Sequence, residues 1–461
     1  MNKPVEVKEF TRIFCEGNVR EEDCTTVPKR VFDDLERFLL DFSESGLHSG
    51  AADFLKIGSQ KYRGKYLSVN NFVGVIQTAK GNQLQILPKI DLGGEEDDEE
   101  ERRYHGKTKA IFLRMIRSLR NVPFRHLDTT DLRTARLPIF EIFIHMYLEE
   151  AMTLAKRGLK SSYVEHEDNL RFYKGKLQAG THIRLNAVHK ERFYMRYDEY
   201  DLNRPENRLI KSTLLKLMAL STDPQNQKEI RQILTFFELV EPSLNYERDF
   251  SLVKNDRTVR DYEMLLQWSK VFLFNQSFST FTGQSQSWAL LFPMETVFES
   301  YVAQELRKVF ADTSWTVSVQ NREQWLFNFP HRRFRLKPDI VITKEDGTRI
   351  ILDTKWKALS DNERNNYDIS QADMYQMFAY SKKYAASDSE TGVKSPDVWL
   401  LYPVNSSMRK YTECGRTIEF ASMAGNEKDV RVRLFFVDLK NIGDSMQLLK
   451  SRLTGIESET Q

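Results

Sequence analysis

The chain has 461 residues, of which 40% are hydrophobic and 12% aromatic, so it is long enough for two or three domains with substantial cores. Its formal net charge of +2 excludes a polycation that binds nucleic acid over its whole surface, so any such binding must use local basic patches. The histidines and the cysteines Cys15, Cys24 and Cys414 show no zinc-ligand spacing. No apolar leader and no apolar run of about 18 residues is present, which predicts a reduced, cytoplasmic protein.

The N-terminal part combines predicted strands with amphipathic helices. The pair Gly81-Asn82 lies between two runs of strand-forming residues and predicts a hairpin. The acidic run EEDDEEE at residues 95–101 predicts a solvated loop, and an acidic arm that mimics nucleic acid or contacts a basic partner is the alternative. The predicted elements are a helix over 31–42, strands over 66–77 and 83–90, and a helix over 107–119.

The middle of the chain is predicted to be mainly helical. Pro138 and Gly158 lie at the two ends of a predicted helix, and Pro205 lies in the first turn of another that runs to residue 220. Between them, residues 163–200 interleave basic and aromatic side chains, a pattern that suits DNA or partner contact and equally a structural role. A polar stretch rich in Ser, Gln and Thr at 275–288 predicts a domain boundary.

The C-terminal part has the predicted order helix, strand, hairpin, helix, strand, strand. This order indicates a mixed β-sheet flanked by helices. The predicted elements are a helix over 294–310, a strand over 315–320, a hairpin over 334–359, a helix over 369–384, and strands over 398–403 and 430–439.

The predicted hairpin brings two acids and a lysine together. Its polar loop, residues 344–348, contains an Asp-Gly pair. If the strands pair symmetrically about Asp346, then Asp339 and Asp353, each seven residues away, face each other across the hairpin. Lys355 follows Asp353 by two residues and lies on the same face, because strand side chains alternate. The neighbouring strand residues are apolar, and buried acids of this kind need a partner or a metal.

This group of side chains suits phosphodiester hydrolysis. Two adjacent carboxylates raise each other's pKa, and a hard divalent cation such as Mg²⁺, or Mn²⁺ as a substitute, relieves the repulsion. Such a cation activates a water molecule and stabilises charge on a phosphate oxygen, and a lysine can hold the water or neutralise developing charge. The pattern Pro338-Asp339 followed by Asp353-Thr354-Lys355 resembles the signature of PD-(D/E)xK nucleases. A surface hairpin with solvated acids is the alternative.

The resemblance to PD-(D/E)xK nucleases implies roles for three more residues. An acid on the first core helix often completes the metal shell in this class, and Glu299 is the matching residue, so the implied metal ligands are Asp339, Asp353 and Glu299. The helix after the hairpin carries Gln376 and Tyr380 at the spacing of the QxxxY element, in which Gln bonds the attacking water or a phosphate and Tyr lines the DNA groove. A capped Gln and a core-facing Tyr are the alternative. Further candidate neighbours are Tyr367, Asp373 and Tyr375.

A set of ordered motifs over about residues 60–440 resembles the McrC family, the nuclease subunit of McrBC-type methylation-dependent restriction systems. The motifs are LPKI at 87–90, RGL at 157–159, YKGKL at 173–177, RPENRLIK at 204–211, VFESYVAQEL at 297–306, KPDIVI at 337–342, LDTKWK at 352–357 and DMYQMFAY at 373–380.

The resemblance implies a division of labour with an AAA+ GTPase partner, McrB. By this resemblance, the partner recognises modified, methylated double-stranded DNA and forms a ring. The N-terminal and helical parts of the McrC subunit are expected to dock into the ring and to stimulate GTP hydrolysis through a basic residue. The chain itself has no GxxxxGK[ST] P-loop. We therefore expect an N-terminal α/β partner-docking domain over 1–135, a mainly helical middle domain over 136–280, and a PD-(D/E)xK endonuclease domain over 281–461.

Two other functions stay open at this point. The chain could be a stand-alone PD-(D/E)xK nuclease, for example a repair exonuclease, or a non-catalytic activator of an AAA+ ring with a vestigial site. The last is disfavoured because Asp339, Asp353 and Lys355 are all present. A neighbouring reading frame for a GTPase with a P-loop would favour the restriction system over the stand-alone nuclease.

Overall fold

The computed structural model is a mixed α/β protein that divides into two compact units, Pro138–Ala289 and the combined segments Asn2–Leu137 and Leu290–Gln461. No helix in the described part of the chain is long and apolar enough to cross a membrane. The division into three domains stays a prediction, and most of the predicted boundary stretch 275–288 lies outside the described residues. The described residues are 4–15, 23–44, 54–61, 64–78, 80–90, 98–119, 137–253, 261–274, 288–388, 396–413, 416–424 and 427–455.

The α-helices are α1 (Lys29–Glu44), α2 (Asp98–Ile116), α3 (Ile139–Arg157), α4 (Ala179–Asn186), α5 (Pro205–Leu220), α6 (Pro224–Phe236), α7 (Tyr246–Leu252), α8 (Glu263–Phe274), α9 (Met294–Val309), α10 (Gln371–Asp388), α11 (Arg409–Glu413) and α12 (Ile442–Thr454). Short 3₁₀ helices span Glu363–Asp368 and Ser406–Met408.

The strands are β1 (Val5–Lys8), β2 (Arg12–Cys15), β3 (Cys24–Val27), β4 (Leu55–Gln60), β5 (Gly64–Val69), β6 (Phe72–Gln77), β7 (Gln83–Leu87), β8 (Ser162–Leu170), β9 (Lys176–Leu177), β10 (Phe193–Asp201), β11 (Trp288–Pro293), β12 (Thr316–Val319), β13 (Trp325–Phe327), β14 (Arg333–Arg335), β15 (Ile340–Thr343), β16 (Arg349–Thr354), β17 (Asp397–Pro403), β18 (Glu419–Ala424) and β19 (Glu427–Val437).

Helix α2 begins earlier than the sequence predicts. It starts at Asp98 rather than at residue 107, so the loop prediction for the acidic run is wrong for residues 98–101; residues 95–97 lie outside the described part. Acidic residues suit the first turns of a helix because they face the positive end of its dipole.

The middle unit is less helical than predicted, because β8, β10 and β9 form an antiparallel sheet, which we call the middle sheet. Tyr163 pairs with Tyr200 across β8 and β10, and their rings lie 5.2 Å apart. Aromatic residues such as these favour strands over helix. Gly175 has φ +77°, and a Cβ there would lie 2.4 Å from the carbonyl oxygen of Arg196, which explains the glycine of the YKGKL motif.

The RPENRLIK motif holds the helices of the middle unit together. Asn207 on α5 donates to the carbonyl oxygen of Lys160 at 2.9 Å and accepts from the hydroxyl of Tyr262 at 2.9 Å. Arg208 binds both carboxylate oxygens of Asp249 on α7, at 3.1 Å and 2.5 Å. The polar residues of this motif therefore have structural roles.

The second unit joins the two ends of the chain in one sheet. Strand β11, from the C-terminal segment, pairs with β6 in the order β1-β7-β6-β11. Gly74 on β6 has φ +146°, and a Cβ there would meet the carbonyl oxygen of Leu290 at 1.9 Å, so only glycine permits this approach. Phe112 on α2 packs edge-on against Phe292, with ring centroids 5.8 Å apart.

A buried hydrogen bond also links the two ends. The indole N–H of Trp356 donates to both carboxylate oxygens of Glu9, at 2.9 Å and 3.0 Å, and the backbone N–H of Lys89 donates to Glu9 at 2.8 Å. The ring of Trp356 packs at 5.4 Å from that of Phe298 on α9.

The C-terminal segment builds what we call the site sheet, in the order β12-β15-β16-β17-β19-β18. Strands β12, β15 and β16 are antiparallel, β16, β17 and β19 are parallel, and β18 is antiparallel to β19. Ile351 faces α10, where it joins a core with Met377, Leu400 and Leu434. Because Trp356 meets α9 and strand residues alternate, α9 and α10 cover opposite faces. The predicted helix and strand types of this region are confirmed, and β13, β14 and β18 were not predicted.

Candidate active site

The hairpin of β15 and β16 has the predicted symmetry. Ile340 pairs with Leu352 and Thr343 with Arg349, so the register is centred on Asp346 and places Asp339 and Asp353 next to the outermost pair. The loop is closed by the N–H of Lys344 donating to the carbonyl of Thr348 at 2.9 Å, and Gly347 adopts φ +78°.

Asp339 is held in place by the residue between Asp353 and Lys355. Its Oδ2 accepts from both the backbone N–H and the hydroxyl of Thr354, each at 2.7 Å. Burial raises the pKa of Asp339, and the two bonds from Thr354 act against that rise. Thr354 was not predicted as a site residue; its position directly after Asp353, the residue opposite Asp339 in the symmetric hairpin, is the signal that could have identified it.

Asp353 and Lys355 form a buried ion pair. Asp353 is 1% exposed, and its Oδ2 contacts the Lys355 ammonium. Burial and the negative field of Asp339 raise the pKa of Asp353 to about 7, while Lys355 opposes the rise. Burial alone would lower the pKa of Lys355, but the carboxylates of Asp353, Asp339 and Asp373 outweigh it, so that pKa is raised and the lysine stays charged.

Helix α10 supplies the other partners of Lys355. The Gln376 side-chain oxygen accepts from Lys355 Nζ at 3.2 Å, and the Gln376 amide donates to the Tyr380 hydroxyl at 2.7 Å. Asp373 lies 4.0 Å from Lys355 Nζ and pairs with Lys357 at 2.9 Å. Burial and the nearby Asp353 raise the pKa of Tyr380, so its hydroxyl keeps its proton. The helical spacing of Gln376 and Tyr380 thus places both on one face of α10, where Gln376 contacts Lys355 and Tyr380 contacts Gln376.

Glu299 lies beside Asp339. Its Oε1 accepts from the Gln320 amide at 3.2 Å. Burial and the field of Asp339 raise the pKa of Glu299 to about 7. Gln320 was not predicted, because its contact with Glu299 forms between a helix and a strand that are distant in sequence.

Two of the further candidates lie elsewhere. Tyr375 is exposed and accepts from the Gln371 amide at 2.6 Å. Tyr367 belongs to the hydrophobic core under α10 and packs edge-on against Tyr411, with ring centroids 6.1 Å apart. Asp373 is the one of the three with a contact to Lys355 among the described residues.

The acids have the donor chemistry for a hard cation. Asp339, Asp353 and Glu299 are carboxylates whose pKa values are each raised by burial, and for Asp353 and Glu299 also by the field of Asp339. A divalent cation that prefers oxygen ligands would relieve this repulsion. Among the described residues, however, no three His, Cys, Asp or Glu side chains already form a metal-binding group. The ammonium of Lys355 is the cation that Asp353 contacts.

Comparisons with known proteins bear on the identity of this site. No curated protein matches the chain. A chain of the Thermococcus gammatolerans assembly described as McrB AAA+ hexamers with bound McrC has the same fold, with a TM-score of 0.68 and 17% identity over 99% of this chain and 100% of that chain. A chain of the T. gammatolerans McrBC complex is 18% identical over 68% of this chain and 89% of its own length, with a TM-score of 0.49.

The sequence comparison identifies a family. The model of the McrBC 5-methylcytosine restriction system component matches residues 67–403, which is most of the chain and includes Glu299, Asp339, Asp353 and Lys355. The chain belongs to the McrBC 5-methylcytosine restriction system component family.

Proposed function

We propose that the chain is the Mg²⁺-dependent DNA endonuclease subunit of a cytoplasmic, GTP-driven restriction complex, and that it also stimulates the GTPase of its AAA+ partner. The reaction is hydrolysis of a phosphodiester in double-stranded, methylated DNA. We further propose that the site sheet with α9 and α10 is a PD-(D/E)xK nuclease core.

One observation carries the nuclease proposal: Lys355 is held between Asp353 and Gln376, next to Asp339, on adjacent strands. Desolvating Asp353 to 1% exposure costs folding free energy, and an ordinary surface hairpin would leave such an acid in water. The solvated-hairpin alternative does not account for this arrangement.

Mg²⁺, when bound by Asp339 and Asp353 with Glu299, supplies an activated water and a positive charge for the phosphate. Thr354 orients Asp339 through its two hydrogen bonds. Lys355 lies where an ammonium can orient the attacking water and neutralise charge that develops on the phosphate.

The Gln376 side chain helps to fix that ammonium. Its oxygen accepts from Lys355, and its amide is directed by the protonated hydroxyl of Tyr380. The roles of Gln376 and Tyr380 are therefore to position Lys355 and to line the site.

The partner proposal rests on the family and on a second surface. The similar T. gammatolerans assembly is described as AAA+ hexamers with bound McrC. The middle unit exposes large apolar and aromatic side chains around the middle sheet, and exposed patches of this kind mark protein-binding surfaces. We call these residues the middle patch: Tyr163, Phe172, Tyr173, Ile183, Val188 and Tyr200.

The test combines two readouts in the assembled complex. Asp339→Ala or Lys355→Ala should abolish cleavage of methylated DNA, while stimulation of the partner's GTPase survives. Lys382→Ala and Asp361→Ala are matched controls; Lys382 pairs with Asp429 and Asp361 with Lys410, and both should keep cleavage within a few-fold of the parent chain.

Three outcomes contradict parts of the proposal. If Asp339→Ala or Lys355→Ala abolished GTPase stimulation as well as cleavage, the two activities would not be separable. Efficient cutting by the purified chain alone would favour a stand-alone nuclease. If both site variants cut DNA as the parent complex does, the cutting residues lie elsewhere in the complex. This chain would then be a non-catalytic activator.

A further inference from the structure

A basic hairpin extends from the strands that carry the candidate site. It spans residues 321–338, contains β13 and β14, and is called the arm below. Its base continues the pairing of β12 with β15, because the N–H of Gln320 donates to the carbonyl of Asp339 at 2.8 Å. Gln320 also binds Glu299, so the arm begins where two of the proposed metal ligands lie.

Helix α10 fixes the base of the arm to the same site. The Tyr384 hydroxyl donates to the Asn321 side chain at 3.2 Å. The backbone N–H of Lys337 donates a hydrogen bond to the hydroxyl of Tyr380, which also accepts one from the Gln376 amide. The arm is thus anchored at both of its ends by the helix that positions Lys355.

The arm concentrates positive charge. It has five basic residues and one acid, a net charge of +4, whereas the whole chain carries +2. The acid, Glu323, lies 3.7 Å from Arg349 of β16. Arg335 stacks over the ring of Trp325 at 5.1 Å, which stiffens the hairpin. The basic residues are Arg322, Arg332, Arg333, Arg335 and Lys337.

The end of the arm presents unpaired cations next to exposed aromatic rings. Arg332 and Arg333 are exposed, and neither is paired with a carboxylate among the residues that the structure describes. Phe329, at the tip, is 90% exposed, and Phe334 is 70% exposed. Exposed arginines suit phosphates, and an apolar side chain between them suits sugars and base edges in a groove.

The length of the arm suits a duplex. Pro330 at the tip is nine residues from Asp339. An extended chain rises about 3.3 Å per residue, so the tip reaches at most about 30 Å from the site, close to one turn of B-DNA.

We propose that the arm binds the backbone and groove of duplex DNA beside the phosphodiester that is cut, with Arg332 and Arg333 on phosphates and Phe329 against sugar and base edges. This inference rests on the proposed function for the identity of the DNA as substrate. It adds a substrate-binding element outside the acid and lysine group.

The test measures DNA binding separately from cleavage. The full-length chain is titrated with a fluorescent duplex in EDTA, over a range of salt concentrations, and binding is followed by anisotropy. Arg332→Ala/Arg333→Ala should weaken binding roughly ten- to a hundredfold and lower the slope of log K against log salt by about 2, because each lost phosphate contact contributes about 0.9. Phe329→Ala should weaken binding without changing the salt slope.

The matched control removes two exposed arginines from the other end of the site sheet, Arg416→Ala/Arg431→Ala, and should bind as the parent chain does. Equal losses for the arm and the control, an unchanged salt slope for the arm variant, or no DNA binding by the parent chain would overturn the inference. So would an arm variant that binds DNA normally but no longer assembles with the AAA+ partner or with a second copy, since the arm would then be a protein interface. If the arm variant weakens DNA binding but the complex never cuts DNA, the inference about the arm stands and the proposed nuclease activity is rejected.

Discussion

The site sheet and the middle sheet depart from ordinary packing in opposite ways. The site sheet buries ionisable side chains, with Asp353 only 1% exposed beside Ile351 and Leu400. The middle sheet exposes apolar ones, with Tyr163 75% exposed and Val188 86% exposed nearby. Each arrangement disfavours an isolated folded chain, because buried charge needs compensation and exposed apolar surface tends to associate. The proposed ligands follow this difference: a cation and a phosphate are proposed for the site sheet, and a protein partner for the middle sheet.

The largest effect is expected where the buried charge is removed. Asp353→Asn keeps the shape of the side chain but loses its charge, so cleavage should fall at least about a thousandfold. The free energy of unfolding at neutral pH should not fall, because the raised pKa of Asp353 means that its ionised carboxylate destabilises the folded state, and Asn removes that charge. Cleavage rates and urea unfolding of the same preparation measure both; a stable variant that still cuts would contradict the role of Asp353.

The next effect is the loss of stability when a buried apolar side chain of the site sheet is truncated. Ile351 is fully buried two residues before Asp353, and Ile351→Ala should lower the free energy of unfolding by about 2–4 kcal/mol through lost contacts and a cavity. Val188→Ala near the middle sheet should change it by less than about 0.5 kcal/mol. Similar losses for the two variants in urea unfolding would remove the contrast between the sheets.

Glu9, which lies outside the acid and lysine group, tests whether burial raises the pKa of a carboxyl. Burial raises the pKa of Glu9 from 4.5 to about 7. Between these values the folded state holds a proton that the unfolded state has lost, so stability falls as pH rises from about 4.5 to about 7 and stays lower above that. Glu9→Gln removes the titration and should be more stable than the parent chain by up to about 3 kcal/mol at pH 8, with no gain near pH 4.5.

Urea unfolding of the parent chain and Glu9→Gln at several pH values gives the difference directly. The other carboxyls with a raised pKa are present in both chains, so their contributions to the pH dependence cancel in the comparison. A difference between the two chains that does not vary with pH would show that Glu9 is ionised in the folded state.

The smallest effect is expected at the middle patch. Tyr163→Ala/Tyr200→Ala removes the adjacent pair of exposed rings and should weaken association with the AAA+ partner about tenfold, with the free energy of unfolding changed by less than about 1 kcal/mol. Leu244→Ala, at a residue of the same unit that is also exposed, is the control and should leave association unchanged. Equal binding by all three chains in a titration against the partner would place the docking surface elsewhere.

The candidate site could be predicted where local rules determine it. The Asp-Gly turn sets the register of β15 with β16, and helical spacing puts Gln376 and Tyr380 on one face of α10, so both follow from short stretches of sequence. The position of Gln376 against Lys355 depends on how α10 packs on the sheet, and only the family resemblance implied it. Gln320 was missed, since its hydrogen bond to Glu299 depends on how a helix and a strand meet. Thr354 was missed although its bonds to Asp339 lie within the predicted hairpin.

Parts of the fold could not be predicted for related reasons. The strands β8 and β10 carry polar and aromatic residues with no clear apolar face, so the hydrophobic period that identifies strands was weak. The pairing of β11 with β6 joins residues far apart in the chain, and no local pattern encodes such a partner.

The bond between Glu9 and Trp356 bears on how the molecule can be dissected. Trp356 directly follows Lys355, and its ring packs on Phe298, which directly precedes Glu299. An excised fragment that begins at residue 281 would lose the acceptor of the indole N–H and the strand that pairs with β11. The segment that carries the candidate site is thus completed by residues from the N-terminal segment, and we expect the two segments to fold as one unit.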